Sequence, residues 1–85
     1  MAEVTKVTVD VTPTQIIPAN GMRKSMMIRN NGTASIFVGK DNQVTIVTGL
    51  ELPQGVQLNV DADTAAYWGI AAVGTQACDV VEVLL

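Results

Sequence analysis

The chain has 85 residues, a net charge of −3, 48% hydrophobic but only 15% charged residues, one cysteine and no histidine. That length makes one domain with one core. Five scattered basic residues exclude the clustered basic face that nucleic acid requires, and the lack of histidine excludes a Ser-His pair and histidine metal sites. Charge this sparse, against a usual ~25%, predicts a second buried surface supplied by other subunits or a partner.

The segment "MAEVTKVTVD" is charged and alternating with no apolar run behind it, so no signal peptide is expected. No stretch approaches the ~20 apolar residues that cross a bilayer, and synthesis and folding in a cytoplasm are expected. Residues 1–6 read as an N-terminal arm and residues 7–85 as a single β domain. Period-2 alternation dominates from there on, and no window holds a helical period. Val7, Val9 and Val11 share one face of the first strand. Pro13 and Pro18 then bracket a short extended piece, predicted to be an edge strand or corner.

After a turn at Asn20-Gly21, "RKSMMIRN" reads as a strand with Met26 and Ile28 inward and Met27 and Arg29 outward. Asn31-Gly32 predicts a type I′ hairpin turn, and "SIFVGK" returns with Ile36 and Val38 inward. In that hairpin Met27 faces Phe37 across the strands, forming an apolar pair on the outer side. "KDN" is a second turn and "QVTIV" the next strand. "LELPQG" is a corner, and "VQLNVDAD" alternates Val56, Leu58 and Val60 against Gln57 and Asn59. "AAYWGIAAV" and "ACDVVEVLL" are the last strands, joined by a Gly74-Thr75 hairpin. Several short strands with turns every eight to twelve residues predict a small antiparallel β-sandwich, jelly-roll-like or Ig-like, with no substantial helix.

None of the polar motifs predicts chemistry. Asp61 and Asp63 could face the same way, but a Ca²⁺ site needs six or more oxygens and no acidic ladder supplies them. "GKDNQ" lacks the Walker pattern and its strand-to-helix setting. Asn31-Gly-Thr33 matches a glycosylation sequon but reads as a turn. Cys78 lies in an apolar strand as a small core residue. Of the adjacent Tyr67 and Trp68, one faces the core and the other an outer surface. "VVEVLL", apolar on both faces apart from Glu82, reads as a strand covered on both sides. No catalytic residue, metal or cofactor is expected. Met27, Phe37, Val80, Glu82, Leu84 and Lys6 are the candidate subunit or shell contacts.

One resemblance spans residues 7–85. Its parts are "TQIIPAN" (Thr14 to Asn20), "RKSMMI" (Arg23 to Ile28), an Asn-Asn-Gly turn, a Val-Gly after the next strand, "LPQG" (Leu52 to Gly55) and a Gly-Thr turn before a Val-rich terminal strand. In this order they resemble small all-β structural proteins of tailed phages, in particular capsid cement or decoration proteins. Position 27 is usually polar in that pattern, so Met27 is a departure. The resemblance implies a virion component on the outside of the capsid, assembled as a homotrimer on the major capsid protein, with no nucleic-acid or membrane partner. A tail-fibre or baseplate domain, or a carbohydrate-binding sandwich using Tyr67 and Trp68, is the alternative.

Overall fold

The structure, a computed structural model, describes residues 2–85. It contains eight strands: β1 Ala2–Val9, β2 Thr14–Ile17, β3 Arg23–Asn30, β4 Ile36–Gly39, β5 Leu50–Leu52, β6 Gln57–Asp61, β7 Tyr67–Ala71 and β8 Gln76–Leu84. They form two antiparallel four-stranded sheets, ordered β1-β8-β3-β6 and β2-β7-β4-β5. The first strand therefore pairs with the last, the second with the seventh, the third with the sixth and the fourth with the fifth. Two packed sheets with this nested pairing make a jelly roll, which decides between the two expected sandwich topologies.

Alternation places the core. Val9, Met26, Ile28, Cys78 and Val80 from the first sheet meet Ile16, Ile17, Ile36, Val38, Leu52, Tyr67 and Ala71 from the second. Ile28 and Ile36, both fully buried, each stabilise the fold by roughly 1.5–3 kcal/mol through apolar burial. As expected, Met26 and Ile28 point inward and Arg29 is exposed. The proline-bracketed piece is β2, an edge strand of the second sheet, where a missing N–H does no harm.

Several local expectations change. Residues 2–6 are not an arm: they continue β1, which runs in register with β8. The β3–β4 hairpin does not form, because β3 and β4 lie in different sheets. β3 instead lies between β8, at nine residues the longest strand described, and β6. No I′ turn is present either, since neither Asn31 nor Gly32 has a positive φ. The 31–35 segment crosses between sheets, and two buried amides hold it. Asn30 Nδ2 donates to the carbonyls of Ala34 and Leu52, and Asn30 Oδ1 accepts from the Gly32 N–H. Gln76 Oε1 accepts from the N–H groups of Thr33 and Ala34. Gly32 is needed for close approach, because a Cβ there would lie 2.9 Å from Gln76 Cβ.

β7 and β8 likewise separate into different sheets, so the Gly74-Thr75 turn, although Gly74 has φ +58°, joins no hairpin. "QVTIV" is a compact turn rather than a strand. Thr45 Oγ1 accepts from the N–H groups of Val47 and Thr48, and the Thr45 carbonyl accepts from the Gly49 N–H. These local threonine bonds compete successfully with strand formation. The short β5 falls instead within the segment expected to be a corner.

Candidate interaction surfaces

The side chains that point away from the core define what this molecule can touch. On the outer face of the first sheet, Val4 pairs with Val81, Val81 with Met27, and Met27 with Asn59. This apolar row crosses three strands. Val4 is 68% exposed, while Met27 and Val81 are half-buried against their neighbours. Beside the row, Lys6 pairs with Asp79 and Asp79 with Arg29; on its other side, Val83 pairs with Ser25 and Ser25 with Asp61. Ser25, Met27, Asn59, Asp61, Val81 and Val83 line a shallow depression of about 190 Å³. Lys6 Nζ lies 2.8 Å from Asp79 Oδ1, an exposed pair of small energetic value.

The outer face of the second sheet carries Trp68, Ile70 and Phe37. Phe37 sits opposite both Ile70 and Glu51, and Trp68 lies opposite Gln15 and Gly39. The core residue of the adjacent aromatic pair is therefore Tyr67, and Trp68 is the outward one. The 40–49 loop folds back over part of this face. Val44 is 5% exposed yet outside the core cluster, and it lies against Gly39, where an added Cβ would come within 2.8 Å of Val44 Cγ2. At the loop tip Ile46 and Val47 remain in water, Val47 at 87% exposure.

Met27 and Phe37 do both point outward, but from opposite sheets, so the expected cross-strand pair does not exist. The other candidates divide. Val80 is 2% exposed in the core and cannot meet a partner. Glu82 and Leu84 lie on the same side of β8 as Val80, toward the interior. Lys6 is exposed on the outer face of the first sheet. Val4, Val81, Val83 and Ile70 were not singled out by sequence, and Trp68 only as one of an aromatic pair with a single outward member. The two-sided apolarity of "VVEVLL" was the available signal for Val81 and Val83.

Glu82 has a different role. Its Oε2 accepts from Arg23 Nε at 2.8 Å, and Arg23, 2% exposed, also donates to the carbonyls of Asp63, Ala65 and Pro18. One guanidinium thus ties β8 to the 18–22 and 62–66 loops, using the fixed fork that arginine alone provides. Ala62 at φ 57° turns the backbone sharply between the two aspartates. Asp61 stays on the outer face of the first sheet, while Asp63 accepts from Lys40, the Ala65 N–H and the Tyr67 hydroxyl. The Lys40 hydrogen bond, followed by those from Ala65 and Tyr67, holds the Asp63 carboxyl well below its usual range. Burial pushes the Tyr67 hydroxyl up, and its bond to Asp63 adds to this. Burial also pushes the Cys78 thiol up to about 11, with nearby Asp79 contributing. Among the described residues no group of three His, Cys, Asp or Glu side chains is placed to hold a metal ion, and no helix is long and apolar enough to cross a membrane.

No protein-family model matches the sequence, and no curated protein matches it. Among solved structures, the chain is similar to hydroxypropylphosphonic acid epoxidase from S. wedmorenis. The TM-score is 0.63 at 16% identity, covering 96% of this chain and 43% of that one. A structure of FeII HppE matches with a TM-score of 0.65 at 15% identity, covering 96% and 42%. A protein of Bacillus endospore appendages, described as disulfide-linked pili, matches with a TM-score of 0.60 at 12% identity, covering 100% of this chain and 86% of that one. The chain thus spans about two-fifths of the epoxidase it matches. At these identities the likeness extends to the fold.

Proposed function

We propose that the protein is a structural component of a tailed-phage virion, a capsid cement or decoration protein that binds the outer head shell and stabilises it. The observation that carries this reading is the outward apolar surface on both sheets: Val4, Val81 and Met27 on one side, Trp68, Ile70 and Phe37 on the other. A sandwich with two such faces can meet sister subunits with one and a shell with the other. The resemblance in residues 7–85 adds the virion setting and the trimer. Clamping requires only binding, and a trimer touching several capsid subunits gains avidity from individually weak contacts. The iron of FeII HppE has no counterpart in this proposal, because the chain has no histidine and no grouped metal ligands among the described residues. Nor has a disulfide-linked assembly, since the one cysteine is buried.

The test is to add purified protein to phage shells lacking it and to sediment them. Retention on shells, with a raised temperature of shell rupture, is expected. Absence of binding to shells together with binding to glycans would overturn the cement reading. That outcome would favour an adhesive module, for which the outward Trp68 beside Gln15 is the supporting observation.

A further inference from the structure

From the outer face of the first sheet we infer a self-complementary contact: it docks a second copy of this chain, related by a two-fold axis along the Val4–Val81–Met27 row. The contact is isologous and does not by itself build a threefold ring. It stands apart from the trimer of the cement reading, and the two can fail separately.

The charges carry the inference. On this face Arg29 and Asp61 make no ion pair among the described residues, whereas the neighbouring Lys6 and Asp79 satisfy each other. Within one chain Arg29 and Asp61 cannot meet readily. Arg29 lies opposite Gln57 and Asp61 opposite Ser25, four residues apart along the strands, or roughly 13 Å. They stand on opposite sides of the apolar row. Lys24, the other cation without an ion pair among the described residues, sits at the bulge where β3 begins.

A two-fold rotation about the row reverses strand direction while keeping each strand over its own copy. Val81 and Met27 then meet the same residues of the second copy. Arg29 comes over Ser25 of the copy, one strand from its Asp61, and Asp61 comes over Gln57 of the copy, one strand from its Arg29. The rotation thus covers the apolar row and brings each charge beside its opposite on the copy, two symmetric pairs in all. A contact with an uncharged apolar partner would leave both charges buried and unpaired at substantial cost. Association in about the micromolar range is expected.

The experiment is sedimentation velocity of the intact chain from about 1 to 200 µM, which brackets that range. A monomer–dimer equilibrium built on the 9.0 kDa protomer is expected. Arg29→Asp or Asp61→Arg alone should weaken it about tenfold or more, and the double exchange R29D/D61R should restore it to within about threefold. Met27→Lys should abolish it, and circular dichroism with a thermal melt would verify that each variant remains folded. A wild-type monomer throughout, or a double exchange no better than the single changes, would overturn the inference. So would an assembly unaffected by these changes but lost in Trp68→Lys, an outcome that leaves the cement reading standing.

Discussion

Replacing Arg23 tests whether one buried cation holds the 18–22 and 62–66 loops. Its side chain is fully buried, with Nε on Glu82, Nη1 on the Asp63 and Ala65 carbonyls, and Nη2 on Pro18. Arg23→Met keeps the volume and removes all four bonds. Glu82, with 14% of its side chain exposed, is left without its partner. Breaking a buried pair from one side costs about 3–5 kcal/mol. The three carbonyls end two surface loops and can recruit water, so they add little beyond that. Unfolding an 85-residue domain carries an entropy of roughly 180 cal/mol/K, so this loss lowers Tm by roughly 15–30 °C. The total stability of such a domain is only about 4–13 kcal/mol, so the variant sits at the margin of folding. Arg23→Lys keeps the charge but not the fork, and should fall between. The double variant Arg23→Met with Glu82→Leu should recover about half of the loss, because no stranded carboxylate remains. The assay is thermal and urea unfolding followed by circular dichroism. An Arg23→Met protein melting within about 5 °C of wild type would refute the reasoning, since no buried charge would then depend on this residue.

Three further outcomes are expected. Asp63 is depressed in the folded state from its ordinary 3.8, so its stabilising contribution is complete above that value and is lost as pH falls below it. Asp63→Asn should therefore flatten the acid limb of a Tm-versus-pH profile, and an unchanged limb would contradict the hydrogen-bond assignment. Cys78, raised from 9.0 to about 11, favours folding below pH 9 and withdraws that contribution as pH rises toward 11. At pH 8 its thiol should react with an aromatic disulfide reagent only as fast as the protein unfolds, and rapid stoichiometric labelling of native protein would count against burial. Asn30→Asp removes the donor to Ala34 and Leu52 and buries a charge, at a cost of at least about 3 kcal/mol. Equilibrium unfolding in urea measures this, and a loss below about 1 kcal/mol would show that the crossover is held by other contacts.

Sequence alone determined the faces of most strands. Met26 and Ile28 inward against Met27 and Arg29 outward, and Ile36 and Val38 inward, follow from a side-chain period of two that is set by local backbone geometry. The all-β class, the proline-flanked edge strand and the buried cysteine were legible for similar local reasons. So was a surplus of apolar surface, though not where it lies.

Tertiary structure decided which strands meet. A turn signal such as Asn31-Gly32 has the same local energetics whether the chain doubles back within a sheet or crosses to the other one. The longer ladder available to β3 beside β8 settled the matter, and that partner begins 46 residues after β3 ends. The same choice separated Met27 from Phe37 and threaded residues 2–6 into a sheet. It also buried Arg23, Asn30 and Gln76, which by composition belong at a surface. Burying a polar group is tolerable only when its hydrogen bonds are met, and Arg23 finds Glu82 59 positions away in the chain. No local pattern encodes such a partner, because only the folded sheets bring the two together.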